Sequence, residues 1–203
     1  MSVYILENDF SHLCDMSYDI ALLPFEGAKS LRHKIRHAEK VDLPEELLFL
    51  ANFNVVKSNS DFPIVNDYMP VMSNKMIDVL KKVDDYQCRI YPAIFIDDTY
   101  HEEKFTNGKL KPEVPIVNNF ALVQTLCEIK GFDYDQSIYE PMNEWEKFPT
   151  VVSKLVIKEP NNGFPAIFRL VEKPSAVFVS QKTKIALEAA NIKGCVFEPV
   201  ETS

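Results

Sequence analysis

Apolar residues recur at helical spacing between residues 74 and 83, and Ser73 stands directly before them. Serine is a favourable N-cap because its side-chain oxygen accepts a hydrogen bond from a free backbone N–H of the first turn. Lys81 and Lys82 fall in the last turn, where the helix dipole favours positive charge. The pattern therefore predicts a helix over residues 74–83 that begins at a Ser73 cap and buries one apolar stripe.

Other segments are rich in β-branched and aromatic residues, as strands are. Pro92 in one of them predicts an edge position or a bulge, and Asn107-Gly108 predicts the tip of a hairpin. Residues 114–127 are apolar with mixed spacing and fit either a strand or a strand that leads into a helix. The remaining predicted strands are residues 3–6, 20–25, 88–96, 151–158, 166–172, 176–180 and 195–200.

Further helices are predicted from local signals. Residues 31–41 predict a polar helix, and Pro44-Glu45-Glu46 predicts a short helix over residues 47–51, because proline and acids favour a first helical turn. Ser180 predicts the N-cap of a helix that ends near residue 191, with Gly194 as the left-handed residue after it. The pattern as a whole predicts an α+β fold, with a mixed, mostly antiparallel sheet and a few flanking helices in a single domain.

Glycine is scarce, with five in 203 residues and no two of them close together. Loops that cradle phosphate or a dinucleotide need closely spaced glycines, so that the backbone can turn tightly and present its N–H groups. The sequence therefore excludes P-loop nucleotide hydrolases, Rossmann dehydrogenases and protein kinases. The five positions, Gly27, Gly108, Gly131, Gly163 and Gly194, all fit turns or segment boundaries.

The formal net charge is −8 and is unevenly distributed. Residues 29–40 carry a local charge of +4, so the rest of the chain carries −12. Nucleic acids and anionic lipids are bound mainly through phosphates that Lys and Arg neutralise, and an acidic protein disfavours both. The charge favours instead a protein partner with a basic surface.

The four cysteines, Cys14, Cys88, Cys127 and Cys195, lie far apart with no histidine at metal-ligand spacing. This pattern predicts free thiols in a reducing cytoplasm, with no metal site and no cofactor. Glu7 interrupts the amino terminus before a signal-peptide region could form, and no stretch holds 18 apolar residues. We therefore expect a cytoplasmic protein that does not enter membranes.

His33 and His37 have the spacing of two imidazoles that bind a metal on one helix face. Lys34-Ile35-Arg36 between them supplies no glutamate and repels a cation, which favours a solvated basic face. His12 and His101 belong to no nucleophile motif. No catalytic residue is therefore predicted.

Asp97, Asp98, Glu102 and Glu103 place four negative charges within seven residues, and a second acidic region follows between residues 133 and 146. Both regions flank turn-rich segments and are expected to be exposed. The carboxylates either keep the protein soluble or form an electrostatic docking surface, on which complementary charge raises the association rate of a basic partner.

Trp145 is the only tryptophan and lies among charged residues. It fits an interface anchor, because tryptophan is enriched at binding hot spots, or an indole packed over the edge of the core. Arg89 and Arg169 interrupt apolar strands, either as outward-facing residues or as partners of a carboxylate across the sheet. The candidate partner-binding residues are Asp97, Asp98, Glu102, Glu103 and Trp145.

An ordered set of segments follows along the chain: Pro70-Val71-Met72-Ser73 before a helix, Ile90-Tyr91-Pro92, Asp133-Tyr134-Asp135-Gln136-Ser137, Ile167-Phe168-Arg169-Leu170, Val177-Phe178-Val179-Ser180, Ala186-Leu187-Glu188-Ala189-Ala190, and Gly194 with Phe197. This set resembles a bacterial family of immunity proteins of polymorphic toxin systems, of the myxobacterial type and first catalogued as a domain of unknown function. The resemblance covers about residues 62–200, which would leave residues 1–61 as an amino-terminal segment and 201–203 as a tail.

The resemblance implies a cytoplasmic inhibitor without catalytic activity, which binds a cognate toxin domain and covers its catalytic cleft. The alternative hypothesis is a small-molecule-binding domain or enzyme whose site is assembled from distant residues, with Arg89, Arg169, His101 and an acid as candidates. A pocket that unites these side chains would favour the alternative.

Overall fold

The computed structural model describes residues 2–11, 18–44, 46–54, 56, 60–67, 69–143, 145 and 148–203. The helices are α1 (Ala28–Arg36), α2 (Asn74–Val83) and α3 (Gln181–Ala189). The strands are β1 (Val3–Asn8), β2 (Ile20–Leu22), β3 (Leu47–Ala51), β4 (Val71–Ser73), β5 (Cys88–Asp97), β6 (Phe105–Thr106), β7 (Lys109–Leu110), β8 (Ile116–Thr125), β9 (Glu128–Ile129), β10 (Ile138–Pro141), β11 (Pro149–Lys154), β12 (Val156–Ile157), β13 (Ile167–Leu170), β14 (Lys173–Ser180) and β15 (Cys195–Thr202).

Two mixed sheets form the body of the protein. The first has the strand order β12-β15-β1-β14-β13-β9, and the second has the order β2-β3-β5-β8-β4. Most of the described strand pairs are antiparallel, and the parallel ones are β12 with β15, β13 with β9, and β3 with β5. Mixed sheets with a few helices are consistent with the predicted α+β class.

The first 61 residues contribute strands to both sheets. β1 lies between β14 and β15 and pairs antiparallel with each, so that Ile5 lies opposite both Phe178 and Glu198. β3 lies between β2 and β5. A boundary at residue 61 therefore cuts across both large sheets, because each of them contains strands from both sides of it.

The short helix predicted over residues 47–51 is wrong, because this segment is β3. It pairs parallel with β5, from Leu47 opposite Ala93 to Ala51 opposite Asp97, and antiparallel with β2 on its other side. Its side chains alternate between buried and half-buried, as in a strand between two neighbours. Pro44 and the two acids after it are typical of the first turn of a helix, but they say nothing about the residues that follow. The pairing of this segment with β2 and β5 outweighs that local preference.

The helix over residues 74–83 is confirmed as α2, including its cap. Ser73 Oγ accepts a hydrogen bond from the Met76 N–H at 3.1 Å, and Ser180 caps α3 in the same way. The left-handed residue after α3 is Asn191 (φ 52°) rather than Gly194, because the helix ends earlier than predicted. Gly194 is also left-handed (φ 82°), but its backbone packs against residues 60–62.

The predicted hairpin tip at Asn107-Gly108 is confirmed between β6 and β7, with both residues at positive φ. Within residues 114–127 the long strand β8 forms, without a helix. Pro92 lies in β5, the central strand of its sheet, so the predicted edge position is wrong. Pro92 is tolerated because it precedes the pairing of β5 with β3, which begins at Ala93, and the register shift against β8 that follows fits the predicted bulge.

Two apolar clusters pack the second sheet from its two sides. α1 contributes Leu31 and Ile35 to one cluster, against Phe49 and Phe95 of the sheet. The other cluster joins the two sheets through α2 and α3, and its buried members include Met76, Leu80, Val123, Val179 and Leu187. Of the helices in the described part of the chain, none is long and apolar enough to cross a membrane.

Candidate partner-binding surface

Strands β10 and β11 form a two-stranded sheet of their own, separate from the two large sheets. Tyr139 lies opposite Val152, and Glu140 opposite Val151. The Met142 N–H donates to the Phe148 carbonyl at 2.8 Å, which closes the turn between the strands. We call β10, β11 and the described residues of that turn the hairpin arm.

The hairpin arm exposes large apolar side chains, although its strands are short. Trp145 is 92% exposed, so the indole does not pack over the edge of the core. The backbone N–H of Trp145 donates to Asn143 Oδ1 at 2.9 Å, and this contact shapes the turn around it. Grouped exposed apolar residues mark interaction surfaces more often than scattered ones do. The other exposed apolar residues of the arm are Ile138, Met142, Phe148 and Val151.

An aromatic cluster fixes the base of the arm to the body. The Tyr139 ring contacts Phe132 at 5.2 Å and Tyr134 at 5.7 Å between centroids, both edge to face. Phe132 is buried and bridges to Ile157 of β12. Edge-to-face pairs add stability beyond the area that they bury. The arm therefore projects from a fixed base and presents its apolar side chains to solvent.

Asp133 completes this base, and it is buried rather than exposed as the acidic composition of its region predicted. Its carboxylate accepts hydrogen bonds from the N–H groups of Asp135 and Gln136, and from Ser203 Oγ at 2.7 Å. These donors, the Ser203 hydroxyl above all, hold the pKa of Asp133 below its usual range although burial opposes the shift. Ser137 links the same segment to β12, because its Oγ accepts a hydrogen bond from the Val156 N–H and donates one to the Val156 carbonyl.

We expect an Asp133→Asn variant to be less stable than the wild type at pH 7 and to lose less stability on acidification. A carboxyl whose folded pKa is depressed contributes stability above its unfolded pKa, and that contribution is lost as the pH falls through the folded value. Urea midpoints at pH 7 and about pH 3 measure the difference. Asp135→Asn is the matched control, since that neighbouring side chain is 92% exposed. Identical acid dependence of wild type and Asp133→Asn would contradict the assignment.

The acidic residues at the end of β5 lie in a different part of the fold from the arm, in the turn between β5 and β6 that leads away from the second sheet. Asp98 and Glu102 are exposed. Asp97 is half-buried and accepts hydrogen bonds from Thr99, while Glu103 forms an ion pair with Lys111 at 3.1 Å. The Glu103 contact raises the pKa of Lys111. Glu102 in turn accepts a hydrogen bond from the Tyr100 hydroxyl at 3.1 Å, so three of the four carboxylates have a local partner.

Arg89 and Arg169 both contact the carboxyl end of α1, where the free carbonyl groups lie. Arg169 is buried, and its Nη1 donates to the carbonyls of Ile35 at 3.0 Å and Pro174 at 3.2 Å. Arg89 Nη1 donates to the carbonyls of Ala38 and Glu39. Arg169 is thus neither outward-facing nor paired with a carboxylate, because backbone carbonyls at a negative helix end serve as its partners.

The residue set of the alternative hypothesis does not assemble. His101 is exposed in the turn after β5, whereas the two arginines contact the end of α1.

The three described cysteines are not activated as nucleophiles. Burial raises the pKa of the Cys195 thiol to about 12, and it also raises the pKa values of the Cys88 and Cys127 thiols. These thiols therefore stay protonated and are poor nucleophiles. Within the described ranges, no three His, Cys, Asp or Glu side chains come together as a metal site.

The segment that carries the arm and its base is similar to a known family. Residues 117–202 match the immunity protein family Imm11. The match confirms the resemblance to an immunity protein family over this segment, which is under half of the chain, and it does not extend to residues 62–116. No curated protein matches the chain.

The Imm11 segment contains the hairpin arm, the Asp133 base and α3, but not the acidic turn after β5. Of the five predicted partner-binding residues, only Trp145 lies within it. The apolar neighbours of Trp145 in the arm were not predicted, because Ile138 and Val151 lie in ordinary strand patterns. One signal was available: Met142, Trp145 and Phe148 recur at intervals of three inside a segment rich in charge.

Proposed function

We propose that the protein is an immunity protein that binds and blocks a cognate bacterial toxin domain in the cytoplasm, without catalysis. The observation that carries this proposal is the Imm11 match over residues 117–202. The exposed hairpin arm supports it, because inhibitors of this kind act by covering a catalytic cleft with a surface of roughly 800 Å² per partner.

Within this proposal, Trp145 and its apolar neighbours are the anchor that the toxin domain buries. Interface hot spots are enriched in tryptophan and lie at the centre of a desolvated patch. Glu140 of the arm is exposed, and the acidic charge of the chain favours a basic toxin surface. The acidic turn after β5 is proposed to steer the approach of that basic partner rather than to anchor it.

The test uses the carboxy-terminal domain of a secreted protein encoded next to this gene, where the proposal places the toxin. Cells that express the toxin domain should survive when this protein is co-expressed, and the two proteins should purify together. Neutralisation in vitro should need one equivalent of this protein, because occlusion is stoichiometric. Complete neutralisation by a small fraction of an equivalent, which persists after this protein is removed, would contradict the proposal and indicate an enzyme that modifies the toxin.

Reversal of the exposed acids in the turn should slow association with the toxin domain about tenfold at low salt, with little change at high salt. Asp98→Lys with Glu102→Lys is the variant, since both side chains are exposed and, among the described residues, neither is part of an ion pair or of the Thr99 contact of Asp97. Stopped-flow or surface-binding kinetics at two salt concentrations measure the rate.

The matched control for this variant is Asp67→Lys with Asp78→Lys, which alters the net charge equally at exposed sites on other elements. If both double variants slow association equally, the effect belongs to net charge and the turn has no steering role. Equal rates for wild type and the turn variant would likewise exclude it.

A further inference from the structure

A cavity of about 380 Å³ lies where the carboxyl end of α1 meets the first sheet. β1, β13 and β14 supply most of its lining. Its described lining includes the cationic side chains of Arg36, Arg169 and Lys173. The volume lies within the range typical of small-molecule sites, about 300–1,000 Å³.

The positive charge in this cavity is poorly compensated. Arg36 is half-buried, and among the described residues its guanidinium forms no hydrogen bond or ion pair. Arg169 is 1% exposed; its Nη1 donates to the carbonyls of Ile35 in α1 and Pro174 in β14, whereas its Nε has no hydrogen-bond partner. Burial, above all, lowers the pKa of both arginines. Two guanidinium groups that line the same cavity favour an anion between them.

One carboxylate, that of Glu7, is found among the described lining residues. Burial is the main cause of the raised pKa of the Glu7 carboxyl; the negative charge of Glu198 raises this pKa further, and the positive charge of Lys173 lowers it. Among the described lining residues, one carboxylate thus stands against three cations. A carboxylate or phosphate from solution would neutralise the remaining positive charge.

The rest of the lining is mainly apolar. Leu6, Phe62 and Val177 are buried residues that face this cavity. Small-molecule sites combine such walls with a few polar groups that fix the orientation of the ligand. A ligand that suits both parts has an apolar group for the walls and one anionic group for the arginines.

We propose that this cavity binds a small organic anion, with Arg36 and Arg169 holding its phosphate or carboxylate group and the apolar walls holding its body. The site lies apart from the hairpin arm, so it does not depend on the proposed toxin binding. Lys173 lies at the turn between β13 and β14 and supplies a further positive charge. No bond is made or broken in this proposal, since the site is a binding site.

Isothermal titration of the full chain with phenyl phosphate, benzoate and inorganic phosphate tests the proposal. Phenyl phosphate or benzoate should bind, and Arg36→Gln should weaken that binding about tenfold or more, because a charge-assisted hydrogen bond is lost. Lys29→Gln is the matched control, since it removes one charge from an exposed position on the same helix. Its affinity should stay within about twofold of the wild type.

Three results would overturn the proposal: no binding of either organic anion, unchanged affinity in Arg36→Gln, or equal losses in Arg36→Gln and Lys29→Gln. Inorganic phosphate that binds as tightly as phenyl phosphate would exclude the role of the apolar walls. Because Arg169 also caps α1, its variants are expected to unfold, and Lys173→Gln provides the second variant. Tighter binding of phenyl phosphate than of benzoate assigns a phosphate group, and the reverse order assigns a carboxylate.

Discussion

Trp145→Ala is expected to weaken binding of the cognate toxin domain about 30-fold or more, the loss typical of an interface hot spot. The indole is 92% exposed in the free protein, so its whole apolar surface is available for burial by a partner. Truncation should leave the stability of the free protein within about 0.5 kcal/mol, because no core contact is removed. Titration calorimetry and a urea midpoint together separate these two effects.

Two further measurements make this expectation specific to the hairpin arm. Ile185→Ala removes an exposed apolar side chain from α3, outside the arm, and should leave toxin affinity unchanged. Labelling with 5-fluorotryptophan gives a single fluorine resonance, since Trp145 is the only tryptophan, and that resonance should shift when the toxin domain is added. A Trp145→Ala variant that binds within about twofold of the wild type would exclude the arm as the anchor.

Gly194→Ala is expected to lower the free energy of unfolding by about 3 kcal/mol. Gly194 has φ 82°, a conformation that costs an L-residue about 1–2 kcal/mol. A Cβ at this position would lie 2.4 Å from Ser60 Oγ and 3.0 Å from the Phe62 carbonyl oxygen, so the chain would also have to move. Urea unfolding at constant pH measures the change.

Gly27→Ala distinguishes backbone strain from steric crowding. Gly27 is also left-handed (φ 91°), but an added Cβ there would meet no atom within 4 Å. We expect it to cost only about 1–2 kcal/mol. Ser60→Ala combined with Gly194→Ala should recover part of the larger loss, since the closest atom is then gone, and a double-mutant cycle measures that coupling. Equal losses in the two glycine variants, with no coupling to Ser60, would refute the close approach.

The elements that could be predicted from the sequence are those whose signals are local. α2 combines a cap, an apolar stripe and a basic end within eleven residues, and the Asn107-Gly108 turn needs only two. β3 could not be predicted in this way, because its neighbours β2 and β5 come from distant parts of the chain. Its local signal describes a helix start, whereas its structure is decided by pairing.

The candidate surface was predictable in part, for a related reason. A lone tryptophan among charges pointed to Trp145, but whether it faced solvent or the core depended on contacts beyond its neighbours. Asp133 shows the opposite case: an acid in a polar turn is expected at the surface, yet distant Ser203 supplies a hydrogen bond that keeps it buried. The buried Arg169 likewise depends on α1, which lies far away in sequence.

The separate pairing of β10 with β11 has a consequence for how recognition can change over time. Ile138, Met142 and Val151 are exposed and lie outside the two large sheets, so we expect substitutions at these positions to be nearly neutral for folding. If the arm binds the toxin domain as proposed, a lineage could acquire a new target by exchanging such exposed residues while it retained Tyr139, the rest of the aromatic base and the Asp133 clamp. Selection for partner choice and selection for a stable fold would then act on different residues, and neither would constrain the other.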